Sequence, residues 1–170
     1  MSRTRWLSDT EQGVWREFLA AVDMVRGHVD GQLQRDAGMP HTYYEVLVAL
    51  SEAPGRTLRM SDLAERCRSS RSRLSHAVAR LEKSGWVTRR TCPTDKRGSF
   101  ASLTEEGFAA LETAALGHVE AVREALFDAL SPDQVRALGE ISATIRNKLT
   151  PRCAAAMLDE DSTERAAEAG

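Results

Sequence analysis

The chain has 170 residues, 42% of them hydrophobic and 28% charged, with a formal net charge of −2, the make-up of an ordinary globular protein. That length suits one domain, or one domain with helical extensions. No run approaches the ~18 apolar residues of a membrane span, and Met1 to Trp6 lack the apolar core of a signal peptide. Cys67, Cys92 and Cys153 are an odd set without metal-type spacing, so a reducing cytoplasm is expected rather than a disulfide scaffold.

Ser8-Asp9-Thr10-Glu11 has the S-x-x-E form of a capping box. The helix it starts carries Val14, Trp15, Phe18, Leu19, Val22, Val25, Val29 and Leu33 at mainly three- and four-residue steps. It should run to about Asp36 and end near Gly38-Met39-Pro40. Core packing is the expected use of most of this stripe, although it is longer than a small domain can cover. A second helix is predicted from His41 to Leu50, with Thr42 as its cap and Ala53-Pro54-Gly55 closing it. Leu58-Arg59-Met60 reads as a short strand, and Ser61 as the cap of a short helix bearing Leu63, Ala64 and a buried Cys67.

After the polar break Arg68-Ser69-Ser70, another helix begins with Ser70 as N-cap. Leu74, Ala77, Val78 and Leu81 share one of its faces, while Ser72, Ser75, His76, Ala79 and Arg80 point elsewhere. Gly85 can take the positive φ that stops it. Trp86 to Arg90 and Ser99 to Leu103 read as paired strands joined by a turn-rich tip, Pro93 to Gly98. The expected fold is therefore mainly α with a small β-hairpin wing, a winged helix-turn-helix. Thr104 then caps a helix with the stripe Leu111, Ala115, Val119, Val122, Leu126 and Leu130. Ser131-Pro132-Asp133-Gln134 opens another, with Val135, Leu138, Ile141, Ile145 and Leu149. Such stripes exposed on one chain predict a two-fold homodimer. The expected divisions are a helix contributing to dimerisation over 8–36, the winged part over 41–104, dimerisation helices over 105–150 and an acidic tail over 151–170.

Charge is segregated. Between Arg56 and Phe100 stand twelve basic and four acidic residues, a surplus of eight, so the rest of a chain of net charge −2 carries −10. Such clustering is the electrostatic footprint of polyphosphate binding, because neutralised phosphates release condensed counterions. A winged helix leads into the major groove with the N-terminal end of the second helix of the pair. Ser70, Arg71, Ser72, Arg73, Ser75 and His76 fall in or near its first turns, and Arg80 a turn later is expected to hold phosphate. Arginine can fork onto guanine, and Ser or His can reach base edges or phosphates. Arg71 and Arg73 flank the apolar face, which leaves their individual targets open. At the wing, Arg97 is placed to enter the minor groove.

Gly85-Trp86-Val87, the run Asp95-Lys96-Arg97-Gly98, and Leu103-Thr104 followed by Gly107 together resemble the MarR family of bacterial transcription regulators. The layout extends over Ser8 to Leu149. The resemblance implies a first helix that joins the last two in a dimer interface, and an Asp95 that fixes Arg97 by an ion pair beside Lys96. It also implies a small aromatic effector at the seam where the second helix begins, while two recognition helices in a two-fold dimer should read a double-stranded, inverted-repeat operator with half-sites about one helical turn apart. His41, Tyr43 and Tyr44, with Trp15, are the candidate effector contacts; core or hinge packing of these aromatics is the alternative. Peroxide-sensing members carry their reactive cysteine in the first helix, and this first helix has none.

No glycine-rich phosphate loop, H-E-x-x-H or G-x-S-x-G is present, so an enzyme is not expected, nor a cofactor. The competing readings are a metal-responsive regulator, should folding gather His41 and His118, a thiol-responsive one using Cys92, and a winged helix serving only protein–protein contact.

Overall fold

A computed structural model describes residues 4–91 and 98–149. The order is α1 (Asp9–Ala37), α2 (His41–Ser51), β1 (Thr57–Arg59), α3 (Met60–Arg66), α4 (Arg71–Lys83), β2 (Val87–Thr91), β3 (Ser99–Leu103), α5 (Glu105–Ala125) and α6 over 132–149. The three strands form one antiparallel sheet in the order β1-β3-β2, so the strand before α3 pairs beside the wing. The expected winged helix-turn-helix is present, with long helices on either side of it.

Local chemistry sets most of the ends. The Ser8 hydroxyl accepts the Glu11 N–H while the Glu11 carboxylate accepts the Ser8 N–H, a complete capping box. Gly38 closes α1 in the left-handed region at φ 63°. Ser70 caps α4, Thr104 caps α5, and Ser131 with Gln134 caps α6 reciprocally. Gly85 stops α4 at φ 76°.

Two expected caps are corrected. Thr42 does not cap α2: the helix starts at His41, whose N–H donates to Asp30 Oδ1 of α1 at 2.8 Å. Ser61 does not cap α3 either; that helix starts at Met60, and the Ser61 hydroxyl donates to Asp62 instead. Cys67, expected to be buried, is half-buried at the end of α3.

The core lies where α2, α3 and α4 meet the sheet and the facing ends of α1 and α5. Leu33, Val46, Leu47, Leu50, Leu63, Val78 and Leu81 are all fully enclosed there. The inner face of α4 is the expected one, Leu74, Ala77, Val78 and Leu81. The stripe of α5, expected to meet the following helix or a partner copy, contributes only Leu111 to the buried side. The buried residues of α5 are Gly107, Leu111, Ala114 and Ala121, whereas Val119 is exposed. Small residues explain this: a Cβ on Gly117 would stand 2.7 Å from Gln32 Nε2 of α1, so α5 turns its slim side inward. The α1 stripe divides likewise, with Val29 and Leu33 in the core and Val14, Trp15, Phe18 and Leu19 exposed.

Arg68, in the turn between α3 and α4, adopts φ 49°. A left-handed backbone costs an L-residue with a Cβ about 1–2 kcal/mol, part of which glycine would return through its own greater chain entropy. Arg68→Gly is therefore expected to stabilise the fold by about 0.5–1 kcal/mol, read as a raised urea midpoint at unchanged slope.

Candidate nucleic-acid interface

The turn Cys67 to Ser70 is closed by the Arg68 N–H donating to Glu65 O and the Ser69 N–H donating to Ala64 O. It sends α4 outward with its buried face against the core and its other face in solvent. Arg71, Arg73, Ser75, His76 and Arg80 are exposed on that outer face and Ser72 is half-buried. Ser70 is different. It is 7% exposed, and its hydroxyl accepts both the Arg73 N–H and Arg73 Nε–H at 3.3 Å. Ser70 thus positions Arg73 rather than presenting a surface group. Asp95, Lys96, Arg97 and Cys92 lie outside the described residues.

Part of the positive segment is neutralised within the fold. Glu105 pairs with Arg56, Glu52 with Arg66, and Glu82 with Arg89. Arg56 also stacks on Phe108, 3.7 Å from the ring centre, tying the turn before β1 to α5. Arg68, Arg80, Lys83 and Arg90 pair with no acid among the described residues. Positive charge thus stays unopposed by any described acid at Arg80 and Lys83 of α4 and at Arg90 of β2.

The four candidate effector contacts separate. His41 and Tyr44 line a cleft of about 420 Å³ between α2, the end of α3 and α5, together with Glu45, Cys67 and His118. The Tyr44 and His118 rings are 4.3 Å apart, and those of His41 and His118 5.7 Å. Tyr43, the next residue along, faces the other way, onto a cleft beside α4. Trp15 borders neither; it stacks on Phe18 near the exposed start of α1. The sequence offered His118 only as a possible metal partner of His41 and not as a wall of this cleft, because the 76 residues between them are bridged by helix packing alone. Folding does gather the two histidines, but no group of three metal-ligating side chains occurs among the described residues.

Burial, followed by the Glu45 carboxylate, pushes the Cys67 thiol up to about 11. A thiol so rarely ionised is a poor redox sensor. Burial also raises the Tyr44 phenol. His118 is lowered, first by burial and then by its neighbour His41. An imidazole depressed in the folded state binds fewer protons there than in the unfolded chain. Its contribution is present above the ordinary value of about 6.5 and is lost as pH falls through the folded value. Urea midpoints should accordingly drop between pH 7.5 and 5.5, and His118→Phe should flatten that fall.

Comparison with known proteins agrees with this geometry. Residues 37–98 match the MarR family. Sco3205, a MarR family transcriptional regulator from Streptomyces coelicolor crystallised in complex with DNA, is 55% identical with a TM-score of 0.84. That match covers 88% of this chain and 93% of the other. AbsC, a MarR family regulator from the same organism, is 40% identical with a TM-score of 0.80, over 86% and 98% of the two chains. YfiV of Bacillus subtilis, an uncharacterized HTH-type transcriptional regulator, is 31% identical over 79% of this chain and 81% of its own length.

Proposed function

Taking as premise that this chain belongs to the MarR family of transcriptional regulators, and so is a DNA-binding regulator and not an enzyme, we propose that it is a repressor. It works as a homodimer on an inverted-repeat operator and leaves it when a small aromatic or phenolic molecule binds. The observation that carries the DNA part is the outer face of α4: Arg71, Arg73, His76 and Arg80 exposed together, with Arg80 unopposed by any described acid. Arg71 and Arg73, in the first turns, reach base edges or the phosphates bordering them, and Ser72, Ser75 and His76 supply shorter polar contacts.

The dimer reading is supported by apolar side chains left uncovered on one chain. Val14, Trp15, Phe18 and Leu19 of α1, Leu116 and Val119 of α5, and Ile141, Ile145 and Leu149 of α6 are all exposed. Each such side chain gains roughly 1.5–3 kcal/mol when fully buried, so a partner copy is strongly favoured. Two-fold pairing sets half-sites about one helical turn apart, ~10 base pairs centre to centre. The effector reading is supported by the aromatic cleft of His41, Tyr44 and His118, whose volume of about 420 Å³ suits a small ligand. Because α2 joins this cleft to α4, a ligand that shifts the first turn of α2 also shifts the DNA-facing helix.

Electrophoretic mobility shift on the promoter DNA flanking its own gene tests the regulator. Retardation that aromatic acids such as salicylate reverse is the expected result; retardation indifferent to a broad aromatic panel removes the effector. The wing is tested separately. Arg97→Ala should weaken operator binding and lower the salt slope by about one contact for each protomer bound, whereas unchanged affinity would take Arg97 out of the interface.

A further inference from the structure

We propose that the cleft between the start of α2 and the outer face of α4 grips a phosphodiester of the DNA backbone, with Thr42, Tyr43 and Lys83 as contacts that fix the register of α4. The inference rests on the DNA-binding reading above and adds a second wall to it. The cleft, about 650 Å³ and open to solvent, has Thr42 and Tyr43 on one side and Arg73, His76, Arg80 and Lys83 on the other. No carboxylate lines it. Arg80 and Lys83 have no acidic partner among the described residues, and the Thr42 and Tyr43 hydroxyls hydrogen-bond none of them.

A phosphodiester oxygen only accepts hydrogen bonds, so a phosphate site needs donors and cations, which are what this cleft presents. Geometry points to the backbone rather than the bases. From Arg73 to Lys83 the helix advances about 15 Å, more than the ~12 Å width of the major groove. With the first turns of α4 at base edges, Arg80 and Lys83 stand at the groove wall, where the phosphates run. The cleft of His41, Tyr44 and His118 opens on the other side of α2.

Fluorescence anisotropy of the full chain decides it, using its own promoter duplex and an unrelated duplex of equal length at several salt concentrations. Lys83→Gln should weaken binding to both duplexes by a similar factor. It should also reduce the slope of log affinity against log salt by about 0.9 for each protomer bound. Tyr43→Phe and Thr42→Val, which delete only hydroxyl chemistry, should each weaken both duplexes about 2–10-fold and leave the slope unchanged. Variants that match the parent on both duplexes overturn the cleft alone. So does a Tyr43→Phe protein of normal DNA affinity whose response to aromatic acids has changed, since that returns Tyr43 to an effector site. A parent protein that binds neither duplex overturns the regulator reading, and the cleft with it.

Discussion

Gly107→Ala is expected to destabilise the fold by about 3 kcal/mol or more, a large share of the ~5–15 kcal/mol that holds a domain together. Gly107 sits in the first turn of α5 with ordinary helical geometry, so the reason is space and not φ. A Cβ built there would stand 2.1 Å from Trp86 O, 2.8 Å from Trp86 C and 2.9 Å from Leu103 Cδ1. The nearest atoms are backbone, and they are held. Trp86 O accepts the Thr104 N–H at 3.0 Å, the Thr104 hydroxyl donates to Gly85 O at 2.8 Å, and the Gly107 N–H donates to that same hydroxyl at 3.0 Å. One methyl group must therefore push apart the junction at which α4 ends, β2 begins and α5 departs. Urea unfolding followed by circular dichroism measures the loss. Gly27→Ala is the matched control: it lies in α1 with nothing within 4 Å, and should gain about 0.5–1 kcal/mol from helix propensity. A Gly107→Ala protein as stable as its parent would mean that α5 can retreat from β2 freely.

The second large effect concerns pairing. Ile141 and Ile145 are 56% and 41% exposed on one chain, so charging them disturbs little within it. Ile141→Glu with Ile145→Glu should leave the helical circular dichroism signal intact and turn the proposed dimer into a monomer by light scattering. Operator affinity should fall by 10²-fold or more, because the second half-site loses the effective concentration that tethering provides. Two carboxylates at an apolar interface also repel their symmetry mates. A dimer that survives both charges places the pairing surface elsewhere than α6.

These two variants mark different kinds of legibility. Ile141 and Ile145 could be picked out by spacing alone, whereas nothing local to Gly107 says that a strand carbonyl lies against it. Its place in the Leu103-Thr104-x-x-Gly107 run carried the resemblance to a family without carrying the reason. Of the proposed DNA contacts, the exposure of Arg71, Arg73, Ser75, His76 and Arg80 was predictable, because burying Leu74, Ala77, Val78 and Leu81 leaves the rest of α4 outside. Ser70 was predictable as a cap, and its being a cap is what removes it from the surface. Thr42, Tyr43 and Lys83 were not gathered, since their meeting requires α2 and α4 to be placed side by side.

What residue order settled on its own is whatever acts within one helical turn. Ser8 with Glu11, Ser70 with Arg73, Thr104 with Gly107 and Ser131 with Gln134 are all partners three residues apart, and the gathering of basic charge between Arg56 and Phe100 is a property of the string. What needed the packed molecule is whatever acts between helices. Asp30 caps a helix eleven residues away, small residues rather than large ones choose the inward side of α5, and Tyr43 and Tyr44, adjacent in the chain, open onto separate clefts. Hydrogen bonds across one turn are decided by backbone geometry that every helix shares, while contacts between helices depend on how closely their backbones approach, and that distance is set by all the packed side chains together.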